Sequence, residues 1–314
     1  MLAGCVLATA SAEDAASYPN RIVQIIVPYT PGTGADILSR IFGARLGELW
    51  KVGVVTENRP GASGSIGTEA VAKAAPDGYT LLFVATSFGT MPALQPNLPF
   101  DPAKSFTPVS LVATSAMALL VSPQLPVRSV SEFLDLVRKQ PGKLHYSSPG
   151  NGTPQHLAME LFKLDGRLDL VHVPYKGSSG AVTDLVGGHV DATIASLQTV
   201  APLVQSGKLR MLGVLSATRS PAFAEVPTLK EEGYPSIDVE TWYGLFAPSG
   251  TPADVVAKLN AEMNTLLEQA SIREALAKQG MSPAGGPPER LGELVRMELA
   301  RWSRVVAAAG IRAD

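Results

Sequence analysis

Three short loops carry the residues best suited to chemistry, and the chemistry they suit is anion binding. The first runs Thr30-Pro31-Gly32-Thr33-Gly34-Ala35-Asp36, the second Gly61-Ala62-Ser63-Gly64-Ser65, the third Gly150-Asn151-Gly152-Thr153. Each follows an apolar run of strand length and precedes an apolar stripe at helical spacing, so each reads as strand, Gly-rich loop and helix start. Thr33 and Thr153 occupy N-cap positions, and Pro154 follows Thr153 at the first helical position. A helix start offers unpaired backbone N–H groups and the positive end of the helix dipole, which suit a carboxylate or phosphate. Neutral hydrogen-bonding side chains gather at the same strand ends: Tyr29, Thr33, Ser87, Ser147, Ser148, Asn151, Thr153, Tyr175 and Ser196. They can hold an anion without transforming it. His156, three residues past Thr153, can donate from a neutral ring, and Lys176 beside Tyr175 can supply a cation at the cleft.

Other chemistries find less support. The first loop fails the dinucleotide pattern G-x-G-x-x-G/A at Ile37, and no Gly-Lys-Ser/Thr follows it for a P-loop. Gly61-Ala62-Ser63-Gly64-Ser65 begins like a nucleophile elbow but has Ser65 where the second glycine is required. The four histidines, His145, His156, His172 and His189, do not fall at metal-ligand spacing. The carboxylates are scattered over helix surfaces, and no acid/base pair stands out.

The elements that must position these loops alternate. Ile22 to Val27, Lys51 to Thr56 and Tyr79 to Ala85 read as strands, with helices from Ile37 to Leu49 and from about Ile66 to Ala75 between them. This βαβαβ order implies a parallel sheet with right-handed crossovers. A Pro-rich excursion from Pro92 to Pro108 leads to two strands, Val109 to Ala113 and Ala118 to Ser122. A second set of units follows. It comprises a helix Val130 to Lys139, strands at 144–148, 170–175, 190–195 and 208–215, and helices after Thr153 and from Ala181 to Val186. The strand Val239 to Ala247, helices within Ala253 to Gln279 broken near Ser271, and a helix from Pro288 to Ala309 complete the chain.

With 314 residues, the chain exceeds one ordinary core, so two domains are expected. Hydrophobic residues make up 46% and charged residues 17%, as in a globular chain, and a net charge of −2 argues against nucleic acid. The apolar run Leu2 to Ala8 followed by Ala10-Ser11-Ala12 reads as the back half of a secretory signal peptide, residues 1–12. Cys5, the one cysteine, lies in a Leu2-Ala3-Gly4-Cys5 stretch resembling a lipoprotein box. Cleavage after Ala12 would leave a mature chain without thiols.

The motifs in order carry a resemblance. Val27-Pro28-Tyr29-Thr30-Pro31-Gly32-Thr33-Gly34-Ala35-Asp36 resembles the opening loop of the tripartite tricarboxylate transporter substrate-binding proteins, the Bug-type periplasmic receptors. Glu57-Asn58-Arg59-Pro60-Gly61-Ala62-Ser63-Gly64 with Ile66-Gly67, and Ala75-Pro76-Asp77-Gly78-Tyr79-Thr80-Leu81, are similar to that family's next motifs. His172 to Gly177, Gly188 to Asp191, Pro227-Thr228-Leu229 and Trp242-Tyr243-Gly244 continue the match. The resemblance implies an α/β fold: a two-domain, type II-like periplasmic binding protein, each domain a mostly parallel sheet flanked by helices, with the ligand cleft between them. It implies a periplasmic, monomeric receptor for a small organic acid, a membrane permease as partner, no cofactor and no catalysis. Carried over as ligand-binding positions are Tyr29, Thr33, Gly34, Ala35, Ser87, Ser148, Asn151, Thr153, His156, Tyr175 and Ser196. The first loop departs from the family in carrying Thr30, Pro31 and Thr33, which bears on which acid fits. The expected domains are 18–120 with 241–287, and an inserted 121–240, with hinges near Leu119 to Ser122 and Ser236 to Thr241; the helix at 288–314 is left unassigned. Two alternatives stand beside this reading: a hydrolase or ligase of the same architecture using Ser63 or His156, and a receptor serving a two-component sensor.

Overall fold

The computed structural model describes residues 18–311. The expected leader, its cleavage site and Cys5 lie outside the described residues. The first half opens with β1 (Val23–Val27), α1 (Gly34–Trp50), β2 (Val54–Asn58), α2 (Ser65–Ala72), β3 (Thr80–Ala85) and α3 (Ser87–Leu94). The long β4 (Phe106–Val121) then leads into α4 (Val130–Lys139), β5 (His145–Ser148), α5 (Pro154–Gly166), β6 (Val171–Pro174), α6 (Ser178–Gly187), β7 (Ala192–Ser196), α7 (Leu197–Gln205) and β8 (Arg210–Val214). The chain returns through β9 (Glu240–Pro248) to α8 (Ala253–Glu268), α9 (Ala270–Lys278), β10 (Ser282–Pro283) and α10 (Pro288–Ala309).

The strands form one mixed sheet in the order β2-β1-β3-β9-β4-β7-β5-β6, with β8 and β10 also on β4. The expected parallel units stand at its two ends, β2-β1-β3 and β7-β5-β6. Between them β9 runs antiparallel to both β3 and β4, and β4 runs antiparallel to β7 and β8. The fold is α/β with helices flanking a mixed sheet. Its parallel βα units put every Gly-rich loop at the carboxyl end of a strand, where open sheets bind ligands.

β4 merges the two strands expected at 109–113 and 118–122. The intervening Thr114-Ser115-Ala116 is small and polar, which breaks the apolar run, yet it pairs with Trp242, Thr241 and Glu240 of β9. Phe106 to Ala116 pair with β9, and Met117 to Val121 pair with β7 and β8. Bulges between Pro108 and Ser110 and between Leu111 and Ala113 accommodate the proline. One strand thus serves both halves of the sheet.

Two helices stand where none was expected, α3 and α7. Each carries an internal proline, Pro92 and Pro202. Proline removes one N–H and crowds the preceding turn, but in helices of 8 and 9 residues only a few bonds are at stake.

The core divides accordingly. Phe42, Leu81, Phe83, Leu245 and Met263 belong to one cluster of the first half, and Leu82, Phe88, Trp242, Leu291 and Val295 to another. Leu119, Phe133, Tyr146, Phe162, Trp302, Val305 and Val306 form the largest cluster of the second. α10 therefore starts in the first half's core and ends in the second's.

Candidate functional site

The first loop is organised by Asp36. Its carboxylate accepts the Gly32 N–H at 2.9 Å, Arg40 Nε at 2.9 Å and Asn58 Nδ2 at 3.0 Å. Burial acts to raise this carboxyl, but the Gly32, Arg40 and Asn58 donors outweigh it and hold it below its ordinary value. Asn58 also donates to Tyr29 O at 3.1 Å, so one side chain from the second motif ties down the first loop. Thr33 stands at the N-cap with ψ 159°, but its hydroxyl donates to Thr30 O at 3.1 Å and the side-chain cap expected of it is not made. The N–H groups of Gly34, Ala35 and Asp36 therefore start α1 without intrahelical acceptors.

β9 presses on this helix start. A Cβ on Gly34 would lie 2.4 Å from Tyr243 Oη, so only glycine permits the approach. Burial, then the neighbouring Tyr29, pushes the Tyr243 phenol up to about 12. Tyr29 Oη accepts the Ala85 N–H at 3.2 Å and Ser87 Oγ–H at 2.8 Å, and burial raises its pKa as well. Both phenols stay neutral at physiological pH and keep their protons as donors.

The third loop is tied from within. Thr153 Oγ donates to Gly150 O at 2.8 Å and accepts the His156 N–H at 3.4 Å, the cap expected from the sequence. His156 is buried, and its Nδ1 accepts the Gly152 N–H at 3.0 Å. Its ring stacks on His172 at 3.9 Å, which stacks on Tyr146 at 4.8 Å. His172 Nε2 lies 2.7 Å from Ser148 Oγ, and burial, then His156, lowers its pKa to about 4. Behind the stack Tyr146 donates to Glu160, which also accepts Lys163 Nζ at 2.6 Å. Pro154 has no N–H to offer, Thr153 N–H goes to Gly150 O at 3.3 Å, and the Gly152 and His156 N–H groups are taken as above. The start of α5 is thus largely satisfied, whereas the start of α1 is not.

Between the second loop and α3 on one side and the third loop on the other lies a cleft of about 300 Å³. Ser63, Ser87, Thr90 and Gln95 line it from the first half, and Asn151 and Thr153 from the second, with Met91 and Leu94 as its apolar part. None of its walls is a carboxylate, an amine or an imidazole. A Cβ on Gly152 would lie 2.7 Å from Leu94, so the two halves touch at its edge.

Of the residues expected at the site, Ser87, Asn151 and Thr153 stand on the cleft wall, and Tyr29 is one hydrogen bond behind Ser87. Thr33, Gly34 and Ala35 form the adjoining start of α1, with Ala35 buried. Ser148 and His156 lie inside and behind the third loop rather than on the wall. Tyr175 donates to Asp184 and its ring lies over Gly180, while Ser196 lines a separate crevice beside Pro149 and Gln155. Thr90, Gln95, Asn58 and Tyr243 were not among the expected residues. Thr90 lies on the unanticipated α3, and Gln95 directly follows it, so no local pattern pointed to either. Asn58 and Tyr243 lie within quoted motifs, and nothing local to them marks a contact with the first loop.

Among the described residues no helix is long and apolar enough to cross a membrane, and no group of three or more His, Cys, Asp or Glu is arranged to hold a metal ion. A family model described as the tripartite tricarboxylate transporter family receptor, TctC, matches residues 40–311. The chain belongs to this family. The receptor is 36% identical to the protein BugT of Bordetella pertussis (strain Tohama I) over 298 residues, 94% of this chain and 91% of BugT. Its fold matches that of Rpa4515 of R. palustris with adipate at a TM-score of 0.76 and 36% identity, covering 94% of this chain and 99% of the other. It matches a TctC solute-binding protein from Polaromonas, without ligand, at a TM-score of 0.85 and 31% identity, covering 93% and 100%. The receptor is therefore a solute-binding protein of the Bug type.

Proposed function

We propose that the receptor works in the periplasm as a monomer, captures a small organic acid between its two halves and hands it to a membrane permease. The observation that carries this reading is a cleft of neutral walls, tied through the Ser87–Tyr29 hydrogen bond to the loop that leads into an uncapped helix start. The N–H groups of Gly34 and Ala35, with the Tyr29 and Tyr243 hydroxyls, receive one carboxylate. The ligand then extends past Ser87 towards Asn151 and Thr153. Donor bookkeeping favours α1 over α5 as the carboxylate cradle, because the α5 loop spends most of its N–H groups on itself. A carboxylate held by neutral donors needs no counter-charge if each oxygen is well bonded. The adipate bound by Rpa4515 is a ligand of this chemistry in a related receptor.

Closure of 121–240 on 18–120 with 241–287 completes the site. The exchange of partners along β4 between Ala116 and Met117, and the start of β9 at Glu240, support crossings near those expected. The hydrolase reading lacks support in the cleft, where Ser63 has no base among the walls.

Native mass spectrometry of protein purified without refolding, followed by calorimetric titration with linear C4 to C8 mono- and dicarboxylates, tests the reading. Saturable 1:1 binding of an acid is expected. Hydrolysis of the corresponding esters, or saturation by none of the acids, would overturn it.

A further inference from the structure

The third loop is gripped from behind by two imidazoles. Gly150 and Gly152 flank Asn151, which lines the cleft. Gly152 N–H donates to His156 Nδ1 at 3.0 Å. Gly150 N–H donates to Ser148 Oγ at 3.2 Å, and that oxygen lies 2.7 Å from His172 Nε2. Both glycines have positive φ, 146° and 70°, where glycine moves freely, so the loop depends on these anchors for its shape.

The grip on Gly152 needs a neutral ring. A nitrogen that accepts an N–H carries a lone pair, and once protonated it becomes a donor facing a donor. The two rings lie 3.9 Å apart and 9° from parallel, so charge on one is felt by the other and they titrate as a pair. Tyr146 on β5 and Glu160 and Lys163 on α5 are the titratable groups that act on the pair. Glu160 is the one anion among them. It is buried, and it already accepts Tyr146 Oη–H and Lys163 Nζ, the latter at 2.6 Å. Lys163 opposes a further cation. The surroundings therefore favour two neutral rings, and a proton is accommodated best when the rings part and the loop comes away.

We infer that His156 and His172 form a proton-operated latch on the cleft wall: two neutral rings hold Gly150 and Gly152 and present Asn151 and Thr153 to the ligand, and one proton on the pair releases the loop. Its effect on binding rests on the acid-receptor reading above. The direction follows from linkage. In the held loop, burial and then His156 lower His172 to about 4, whereas a ring freed into water titrates near its ordinary value of about 6.5. The released loop thus binds protons more readily, and the hold weakens as pH falls from about 6.5 towards 4.

Nuclear magnetic resonance of the full chain without ligand tests the latch directly. As pH is lowered, the amide signals of Asn151, Gly152 and Thr153 should move with the same midpoint as the ring signals of His156 and His172. Amides that stay in place while the rings titrate would overturn the latch, and so would rings that remain neutral throughout the range from about pH 6.5 to 4. A double variant, His156→Asn with His172→Gln, keeps acceptors near Nδ1 and Nε2 but has neither titrating ring. Calorimetric titration with adipate at pH 7.5 and pH 4.5 compares it with the unaltered protein; the ionisation of adipate is common to both and cancels. The fall in affinity should be at least about fivefold greater in the unaltered protein. An equal fall in the two proteins would overturn the control of binding. Where adipate does not bind at pH 7.5, it is the receptor reading that suffers, and the amide signals decide the latch by themselves.

Discussion

Asp36 and His172 show how single titratable groups set the loops without lining the cleft. Asp36 is stabilised as a carboxylate, so its contribution is present above the unfolded value near pH ~4 and is lost as pH falls through the lower folded value. Asp36→Asn should cost about 1–3 kcal/mol in urea unfolding at pH 7. It should also flatten the decline of stability below pH ~4. His172 works in the opposite range. Its folded pKa is lowered to about 4, so the unfolded chain takes up its proton first, and stability falls as pH drops from about 6.5 towards 4. The slope is at most about 1.4 kcal/mol per pH unit from this group. His172→Gln, which can still accept from Ser148, should reduce the loss of stability between pH 7 and pH 4.5. An unchanged pH profile in that variant would mean that the ring stack does not govern acid sensitivity. At this scale the sequence was legible where a residue type suits one local role, as with the Thr153 cap. It was not legible for His156 of α5, whose place in a stack depends on a partner 16 positions away in the chain, on strand β6.

At the scale of elements, helical and strand patterns read well where apolar spacing is uninterrupted. α4 and α10 have the ends expected from the sequence, Val130–Lys139 and Pro288–Ala309. Ser129 caps α4 by accepting the Glu132 N–H at 3.1 Å, and Glu132 reaches back to the Arg128 N–H, so local chemistry fixes that boundary. α3 and α7 escaped because each carries a proline in a short span, and β4 was split because Thr114-Ser115-Ala116 gives up the apolar signal where the strand changes partners. The missing helix mattered most for function, since α3 and the residue after it supply Ser87, Thr90 and Gln95 to the cleft. α10 gives a direct test of shared packing. Trp302 is fully buried in the second half's core, and Trp302→Ala should cost about 3–5 kcal/mol in chemical denaturation. Leu291→Ala, at the other end of the same helix in the first half's core, should cost about 2–5 kcal/mol. If the two halves unfold as one cooperative unit, both variants shift a single transition; two transitions, each moved by one variant, would show that the helix joins bodies of independent stability.

For the whole molecule, the proposed closure makes a prediction about shape. A saturating acid shifts the open and closed populations by its difference in affinity for the two. Small-angle scattering should report a smaller radius of gyration with ligand, and an unchanged radius at demonstrated saturation would count against closure. Gly152 gives a second handle, because its missing side chain leaves room for Leu94 where the halves meet. Gly152→Ala places a methyl against Leu94 at a residue with φ 70° and should weaken acid binding without abolishing it, measured by titration with a melting curve as control.

α10 sets a limit on that movement. Two neighbouring strands crossing between bodies define an axis, much as two hinge plates do, and rotation about it is otherwise unhindered. A 22-residue helix buried at one end against Leu291 and Val295's neighbours and at the other around Trp302 is a third attachment. Any rotation that separates its two anchor points must bend the helix or slide one end out of its core. Long helices bend gently at little cost and sharply only where the backbone ladder is broken, and α10 has no proline beyond its first turn. If the halves close as proposed, the arc through which they swing is therefore short, and the span of solutes that one receptor can grip is set by the stiffness of a helix that does not line the cleft.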